Sequence, residues 1–315
     1  MRSTSWQQKL TGLIKAQLSD RHFTVMRYRR AYGVMPDLDE PATFSEKVCL
    51  RKLYPTPSMS VLSDKVAARD YVRQRVGEEI LIPCYAFADE LTPALYDSLP
   101  AQFVMKANHG SGYNLLVEDK SQWSYPVLYD LSCNWLAHDY STINRETQYR
   151  AIKPRLLFEK RLGPDSPLPP SDYKFHCFRK NGELTIIVQI IMERFGKQGS
   201  RRICVTPDWA PIRIEAGEVA DVASIEKPEG FDRAVALANI LSEGFNYVRV
   251  DFYILEDRVY FGELTFTPKG GYVTFCDQET NRYLGSLFEV EDELERSFKL
   301  MPSPTSGPQF ERAHP

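Results

Sequence analysis

Four residues, Arg249, Asp251, Glu263 and Thr265, combine chemical type and spacing most tellingly. They lie in two β-rich runs, Tyr247 to Leu255 and Arg258 to Thr265, around a tight Glu256-Asp257 turn. Side chains alternate along a strand, so 249 and 251 share one face, as do 263 and 265. A hairpin centred on Asp257 sets Asp251 opposite Glu263 and Arg249 opposite Thr265. Carboxylates directly opposed on a sheet repel each other. A divalent cation between them removes that penalty, and hard oxygen donors at this separation suit Mg²⁺. The plainer alternative is an acid–Arg pair on an exposed sheet face. The apolar neighbours of Asp251 favour the buried metal pair.

A second cluster is Phe103-Val-Met-Lys106-Ala-Asn-His109-Gly110-Ser111-Gly112. A lysine at the end of an apolar strand, beside a Gly-Ser-Gly loop, offers a cation and closely approaching backbone N–H groups, which suits phosphate. The spacing matches neither a P-loop nor a G-x-G-x-x-G fingerprint. A third set places Asp172, Lys174 and His176 on one strand face, as in a lined cleft or a solvent-facing edge. Arg201 and Arg202 follow a loop containing Gly196 and Gly199, and a mobile basic loop can close over a phosphate or a carboxylate. No G-x-S-x-G, no H-E-x-x-H and no Cys–His pairing supports a hydrolase or a zinc enzyme.

The elements that must hold these residues are mixed. The first hundred residues read mainly as helices. Trp6, Leu10, Leu13, Ile14 and Leu18 form one apolar face, Thr43 and Glu46 a capping box, and Asp64 a helix start before Gly77 stops it. Short strands follow at 80–87, 102–107, 114–117 and 155–162. A Pro-rich loop leads to Tyr173–Arg179 and Glu183–Met192, joined by an Asn181-Gly182 hairpin turn. Ala234, Leu237, Ala238 and Leu241 make a helical stripe, and a last helix is predicted from about Asn281 to Leu300. The fold class is α+β.

Composition bounds the rest. With 315 residues, 43% of them apolar, the chain holds roughly two domains with real cores. Lys plus Arg number 39 against 42 acids, for a net charge of -3, which argues against a dedicated nucleic-acid binder. Six dispersed cysteines without a C-x-x-C pair read as reduced thiols. No signal-peptide core or 20-residue apolar run occurs, so a cytoplasmic protein is expected.

Taken together, these motifs resemble the ATP-grasp superfamily, and more closely its TupA-like branch, from about Pro41 to Phe288. The resemblance rests on Thr43-Phe-Ser-Glu46-Lys47, Leu62-Ser-Asp64-Lys65, the Phe103–Gly112 run, Asp172-Tyr-Lys174-Phe, Val248-Arg-Val-Asp251 and Gly262-Glu-Leu-Thr-Phe266. It implies an ATP-grasp fold, with ATP held between two α+β lobes beside a mainly helical N-terminal region that replaces or reduces the usual preceding domain. The expected divisions are 1–100 helical, 101–162 small lobe, 163–300 large lobe and 301–315 a disordered tail. ATP and Mg²⁺ are the implied cofactors. Lys106 and Lys174 would contact phosphates under the His109-Gly110-Ser111-Gly112 loop, with Asp172 beside them. Glu159, Lys160, Arg161 and Leu162 would form the adenine hinge. Asp251, Glu263 and Thr265 would hold metal, Thr265 standing where the wider superfamily usually has Asn, and Arg249 would steady the transferring phosphoryl group. The implied reaction is carboxylate activation as an acylphosphate and attack by an amine. The TupA-like branch points to an amino acid joined to a uronic-acid-containing capsule, O-antigen or exopolysaccharide unit. Partners would then be an amino acid, a glycan or sugar carboxylate and, peripherally, membrane-bound polysaccharide machinery. Arg201 and Arg202 are candidate substrate contacts. The alternatives are a sugar kinase using the same cleft and a nucleotide- or glycan-binding module without turnover.

Overall fold

The computed structural model describes residues 17–163, 170–192, 201–216 and 225–290. The apolar face of Trp6 to Ile14, the loop at 164–169, the Gly196–Gly199 loop and the 301–315 tail lie outside them. Four helices come first: α1 Asp20–Tyr32, α2 Phe44–Leu53, α3 Pro57–Ser63 and α4 Lys65–Val76. The small lobe follows, with β1 Cys84–Ala88, α5 Pro93–Ser98, β2 Phe103–Ala107, β3 Asn114–Val117, α6 Tyr125–Ala137, α7 Ser141–Asn144 and β4 Leu156–Glu159. The large lobe has β5 Asp172–Lys180, β6 Glu183–Met192, β7 Arg201–Val205, α8 Phe231–Leu241, β8 Tyr247–Leu255, β9 Arg258–Thr265 and α9 Gln278–Ser286. Among the described residues no helix is long and apolar enough to cross a membrane.

Two antiparallel sheets result, ordered β1-β4-β2-β3 and β7-β6-β5-β8-β9. The β5–β6 turn is Asn181-Gly182, both at positive φ (53° and 86°), as a two-residue hairpin requires. β1 pairs with β4 from Cys84 onward, so the small sheet begins well before the expected boundary at residue 100. A single-sequence reading does not see this, because pairing between strands so far apart in the chain leaves no local mark.

One face of the large sheet is apolar across its centre. Phe175, Cys177, Val188, Ile190, Val248, Val250 and Phe252 pack there against α4 and α8. The opposite face is divided. Phe178, Ile187 and Tyr247 lie at one end under Phe44, Leu284 and Phe288, and charged and polar residues occupy most of the rest. That division makes the cleft.

The Thr43 capping box forms as expected, with both reciprocal hydrogen bonds, an arrangement worth about 1 kcal/mol. Next to it, Lys47 Nζ donates to the carbonyls of Gly285 (2.9 Å) and Phe288 (2.6 Å) at the end of α9. A cation on those unpaired carbonyls is favourable, so this motif docks the N-terminal helices onto the large lobe. The same docking ends α9 at Ser286, where a helix to Leu300 was expected. A Cβ at Gly285 would clash with the Ala42 carbonyl oxygen, and Leu287 and Phe288 turn into the core. Residues 291–300 lie outside the described set.

Candidate active site

The floor of the cleft is built by β5, β8 and β9. Asp251 faces Glu263 and Arg249 faces Thr265, but the geometry that achieves this differs from the simple hairpin. Leu255 pairs with Arg258, so the turn holds only Glu256 and Asp257. A regular ladder from that turn would set Gly262 opposite Asp251 and point Glu263 at the other face. A bulge at Gly262 takes up the extra residue and restores the pair.

Protein cations surround the two acids. Arg249 Nε donates to Asp251 Oδ1 (2.6 Å), and a second guanidinium nitrogen donates to Oδ2 (2.7 Å). Lys174 Nζ donates to the same Oδ2 at 2.6 Å. Arg249 also reaches Thr265 Oγ1 (3.0 Å) and Glu263 Oε1 (3.4 Å), and Thr265 donates to Glu263 (3.2 Å). Burial alone would raise the Asp251 carboxyl, yet Arg249 and Lys174 outweigh it and hold the pKa below the ordinary value. The repulsion expected of an uncompensated pair is therefore absent, because Arg249 sits between the two carboxylates.

The opposite wall comes from the small lobe. Lys106 Nζ donates to Glu159 Oε2 at 2.6 Å, and Arg69 holds the other oxygen at 3.1 Å. Burial opposes the Lys106 charge, but Glu159, Tyr253 and Glu263 more than compensate, and the Lys106 pKa is raised. Lys65, the first residue of α4, donates to the Gly110 carbonyl (2.5 Å) and lies 3.7 Å from Glu263. Asp64 accepts from the Asn108 side chain at 2.9 Å, which fastens the start of α4 to the glycine loop. Burial lowers the Lys65 pKa, against the charge of Glu263.

These walls enclose a cavity of about 320 Å³. Of the residues expected from sequence, Lys106, Gly110, Ser111, Gly112, Asp172, Lys174, Arg202, Arg249, Asp251, Glu263 and Thr265 line it. His109 does not. Its ring is buried beneath the loop, with Nε2 near the carbonyl oxygens of Trp135 (3.1 Å) and His138 (3.3 Å). Lys160 and Leu162 line a separate pocket with Pro83, Arg258 and Tyr260. Arg161 turns to Gln102 and Glu118. Arg201 and Arg202 belong to edge strand β7, paired with Met192 and Ile191, where the sequence suggested a basic loop. Only Arg202 faces the cavity. His176 lies deeper, its Nδ1 2.9 Å from the Tyr247 hydroxyl.

Sequence reasoning passed over several lining residues: Lys65, Tyr113, Tyr140, Asn144, Glu146, Tyr149, Gln189, Tyr253, Thr267 and Lys269. Lys65 carried a local signal, since it follows a helix N-cap and ends the Leu62-Ser-Asp64-Lys65 motif, yet it was given no place in the site. Tyr140, Glu146 and Tyr149 carried none; they reach the cavity through α7 and a 3₁₀ turn at Thr147–Ala151, segments without apolar periodicity. Lys269 occupies a left-handed conformation (φ 51°), uncommon for a side chain other than glycine.

Asp251, Glu263 and Thr265 offer two carboxylates and a hydroxyl. Among the described residues no three His, Cys, Asp or Glu side chains converge as a complete metal cage. Such a partial oxygen set fits an ion like Mg²⁺ that takes its other ligands from substrate phosphates and water.

No curated protein matches the sequence. Among solved structures, D-alanine–D-alanine ligase from Helicobacter pylori is 13% identical, aligned over 79% of this chain and 70% of that one, with a TM-score of 0.42. D-alanine–D-alanine ligase from Bacillus anthracis, complexed with ATP, is 15% identical over 77% and 68%, with a TM-score of 0.41. N5-carboxyaminoimidazole ribonucleotide synthetase from Thermus thermophilus is 13% identical over 68% of this chain and 48% of that one, with a TM-score of 0.38. The family model described as TupA-like ATPgrasp matches residues 46–289, from the capping-box glutamate through both walls of the cleft. On that match the chain belongs to the TupA-like ATP-grasp family.

Proposed function

We propose that this protein is an ATP-dependent ligase that phosphorylates a carboxylate and passes the acyl group to an amine, joining an amino acid to a uronic-acid-containing glycan or its precursor. The observation that carries the reading is the charge of the cavity wall. Lys65, Lys106, Lys174, Arg202, Arg249 and Lys269 face it, against Glu146, Asp172, Asp251 and Glu263. A ligase must hold an anionic carboxylate beside an anionic phosphate, which demands cations beyond those the nucleotide needs.

The roles divide by wall. Lys106, Lys65 and the backbone of Gly110-Ser111-Gly112 would hold the phosphates from above, and Lys174 from below. Asp251 and Glu263 would hold Mg²⁺, which supplies charge neutralisation during phosphoryl transfer. Arg249, already placed between both acids, would steady the acylphosphate. Arg202 and Lys269 share Glu215, at 3.5 and 3.1 Å; two cations on one acid leave positive charge for the acceptor carboxylate. Tyr113, Tyr140 and Tyr149 provide aromatic faces on which a sugar ring can rest. Lys160 and Leu162, beside Pro83 and Tyr260, supply the hinge pocket for the base.

The test is incubation with ATP, Mg²⁺, D-glucuronic or D-galacturonic acid and a panel of amino acids. ADP release should require the uronic acid, hydroxylamine should trap a hydroxamate, and mass spectrometry should show sugar and amino acid condensed with loss of one water. A sugar that gains a phosphate group would sink the ligase in favour of a kinase.

A further inference from the structure

Nearly every acid on the cavity wall has a protein cation beside it. Asp172 and Asp251 have Lys174, and Glu263 has Arg249 and Lys65. Glu146 differs. Among the described residues no cation lies within ion-pair distance of it, although it is 4% exposed. Its Oε1 accepts from Thr267 Oγ1 at 2.6 Å, and its Oε2 from Asn144 at 3.4 Å.

The charged and titratable groups around Glu146 are otherwise committed. Lys52, from α2, donates to the Gly270 carbonyl and the Tyr272 hydroxyl, both at 2.8 Å. Arg27, from α1, stacks on the Tyr272 ring at 4.9 Å and donates to the Ile143 carbonyl at 3.4 Å. Cys49 is a buried thiol. Tyr140 and Tyr149 face Glu146 from its own segment and feel Glu263 as well, and Tyr149 also feels Arg249. Burial raises the Glu146 carboxyl above its ordinary value, against the Thr267 hydrogen bond and the Lys52 charge.

Glu146 is also close to the reacting end. Its partner Thr267 stands two residues beyond Thr265, whose hydroxyl meets Arg249 and Glu263. Two residues span at most about 7 Å.

We propose that Glu146 receives the ammonium group of the amine co-substrate and takes its proton when the nitrogen attacks the acyl carbon. The inference rests on the ligase reading above. The ammonium gives one proton to the Glu146 carboxylate, which frees the nitrogen lone pair. The N–C bond forms as the bond from the acyl carbon to the phosphate oxygen breaks. The departing phosphate keeps that electron pair and takes the second nitrogen proton, leaving a neutral amide. A carboxylate with no cation of its own offers the ammonium an ion pair without displacing one. Burial raises its affinity for protons above that of an exposed carboxylate, which favours a proton-accepting role.

Two nucleophiles test this on the same acylphosphate. Amino acids arrive as ammonium ions, whereas hydroxylamine is uncharged at neutral pH and needs no base before it attacks. With ATP, Mg²⁺ and glucuronic or galacturonic acid, Glu146→Gln should lower amide formation by roughly 100-fold or more. Its loss of hydroxamate formation should be at least ten times smaller. Glu146→Asp should recover part of the amide rate, and the rise of that rate with pH should move in Glu146→Gln towards the amine's own titration. Thermal shift by Mg–ATP checks that each variant is folded, and Glu146→Asp carries the comparison if the Gln variant is not. Equal losses with both nucleophiles would overturn the role of Glu146 and leave the ligase intact. Wild-type protein that makes no hydroxamate removes the ligase reading, and the role with it.

Discussion

Asp251 stands opposite Glu263 because Gly262 bulges out of the β8–β9 ladder. The turn between the strands is half a residue shorter in register than a turn centred on Asp257, and the bulge makes up the difference. Pairing of the two acids is thus a property of one glycine as much as of the carboxylates themselves.

That dependence makes Gly262→Ala informative. A Cβ there would lie 3.1 Å from the Asp251 carbonyl oxygen, tighter than ordinary contact and against backbone that cannot easily move. The expected cost is about 1–3 kcal/mol of stability, as for other overpacked sites, with weaker Mg–ATP binding because Asp251 must shift. Chemical denaturation and calorimetry read the two effects. An unchanged affinity would show that the acid pair tolerates displacement.

Glu263→Gln should abolish Mg-dependent ATP turnover and slightly lower the melting temperature. Simple repulsion between opposed acids predicts the reverse, a stabilised protein. The structure changes the sign, because Glu263 lies beside Arg249 and Lys65 and its removal leaves those cations less well paired. A higher melting temperature would restore the repulsion argument.

Lys106→Ala should weaken ATP binding by about 1.5–3 kcal/mol, the worth of a hydrogen bond to a charged group. Lys106→Arg should not rescue it, since a planar guanidinium cannot copy a compact ammonium wedged against Glu159. Isothermal calorimetry decides both, and unchanged affinity in either variant returns Lys106 to a purely structural pair with Glu159.

Lys52 gives a pH signature at a buried site. Burial lowers its pKa from 10.5 to about 8. Between those values the unfolded chain binds a proton that the folded protein lacks, so stability rises with pH. The increment is up to about 1.4 kcal/mol per pH unit. Wild type should therefore gain stability relative to Lys52→Met as pH goes from about 8 to 10.5. Urea titrations at several pH values measure the difference; a constant gap would mean that Lys52 titrates normally.

Much of the cleft was legible in short stretches of chain. Lys106 beside its glycine loop, the Arg249–Asp251 pair and Glu263 are each carried by a local pattern: an apolar strand, a turn and a two-residue alternation. Helix starts at Thr43 and Asp64 were equally plain, because capping is written in adjacent side chains. Where the pattern was local but the partner distant, sequence faltered. His109 sits in the loop motif yet turns inward to Trp135 and His138, and Arg202 proved to be on a strand.

The sequence by itself determined the α+β class, the order of the main strands and the family to which the ATP-grasp motifs belong. Those features depend on residues near one another along the chain. The tertiary structure alone decided that β1 joins β4, that Lys65 crosses from the helical region to the glycine loop, and that Glu146 and the tyrosines complete the cavity. Each depends on groups brought together from distant parts of the chain, and side-chain order along a strand or helix does not encode such encounters.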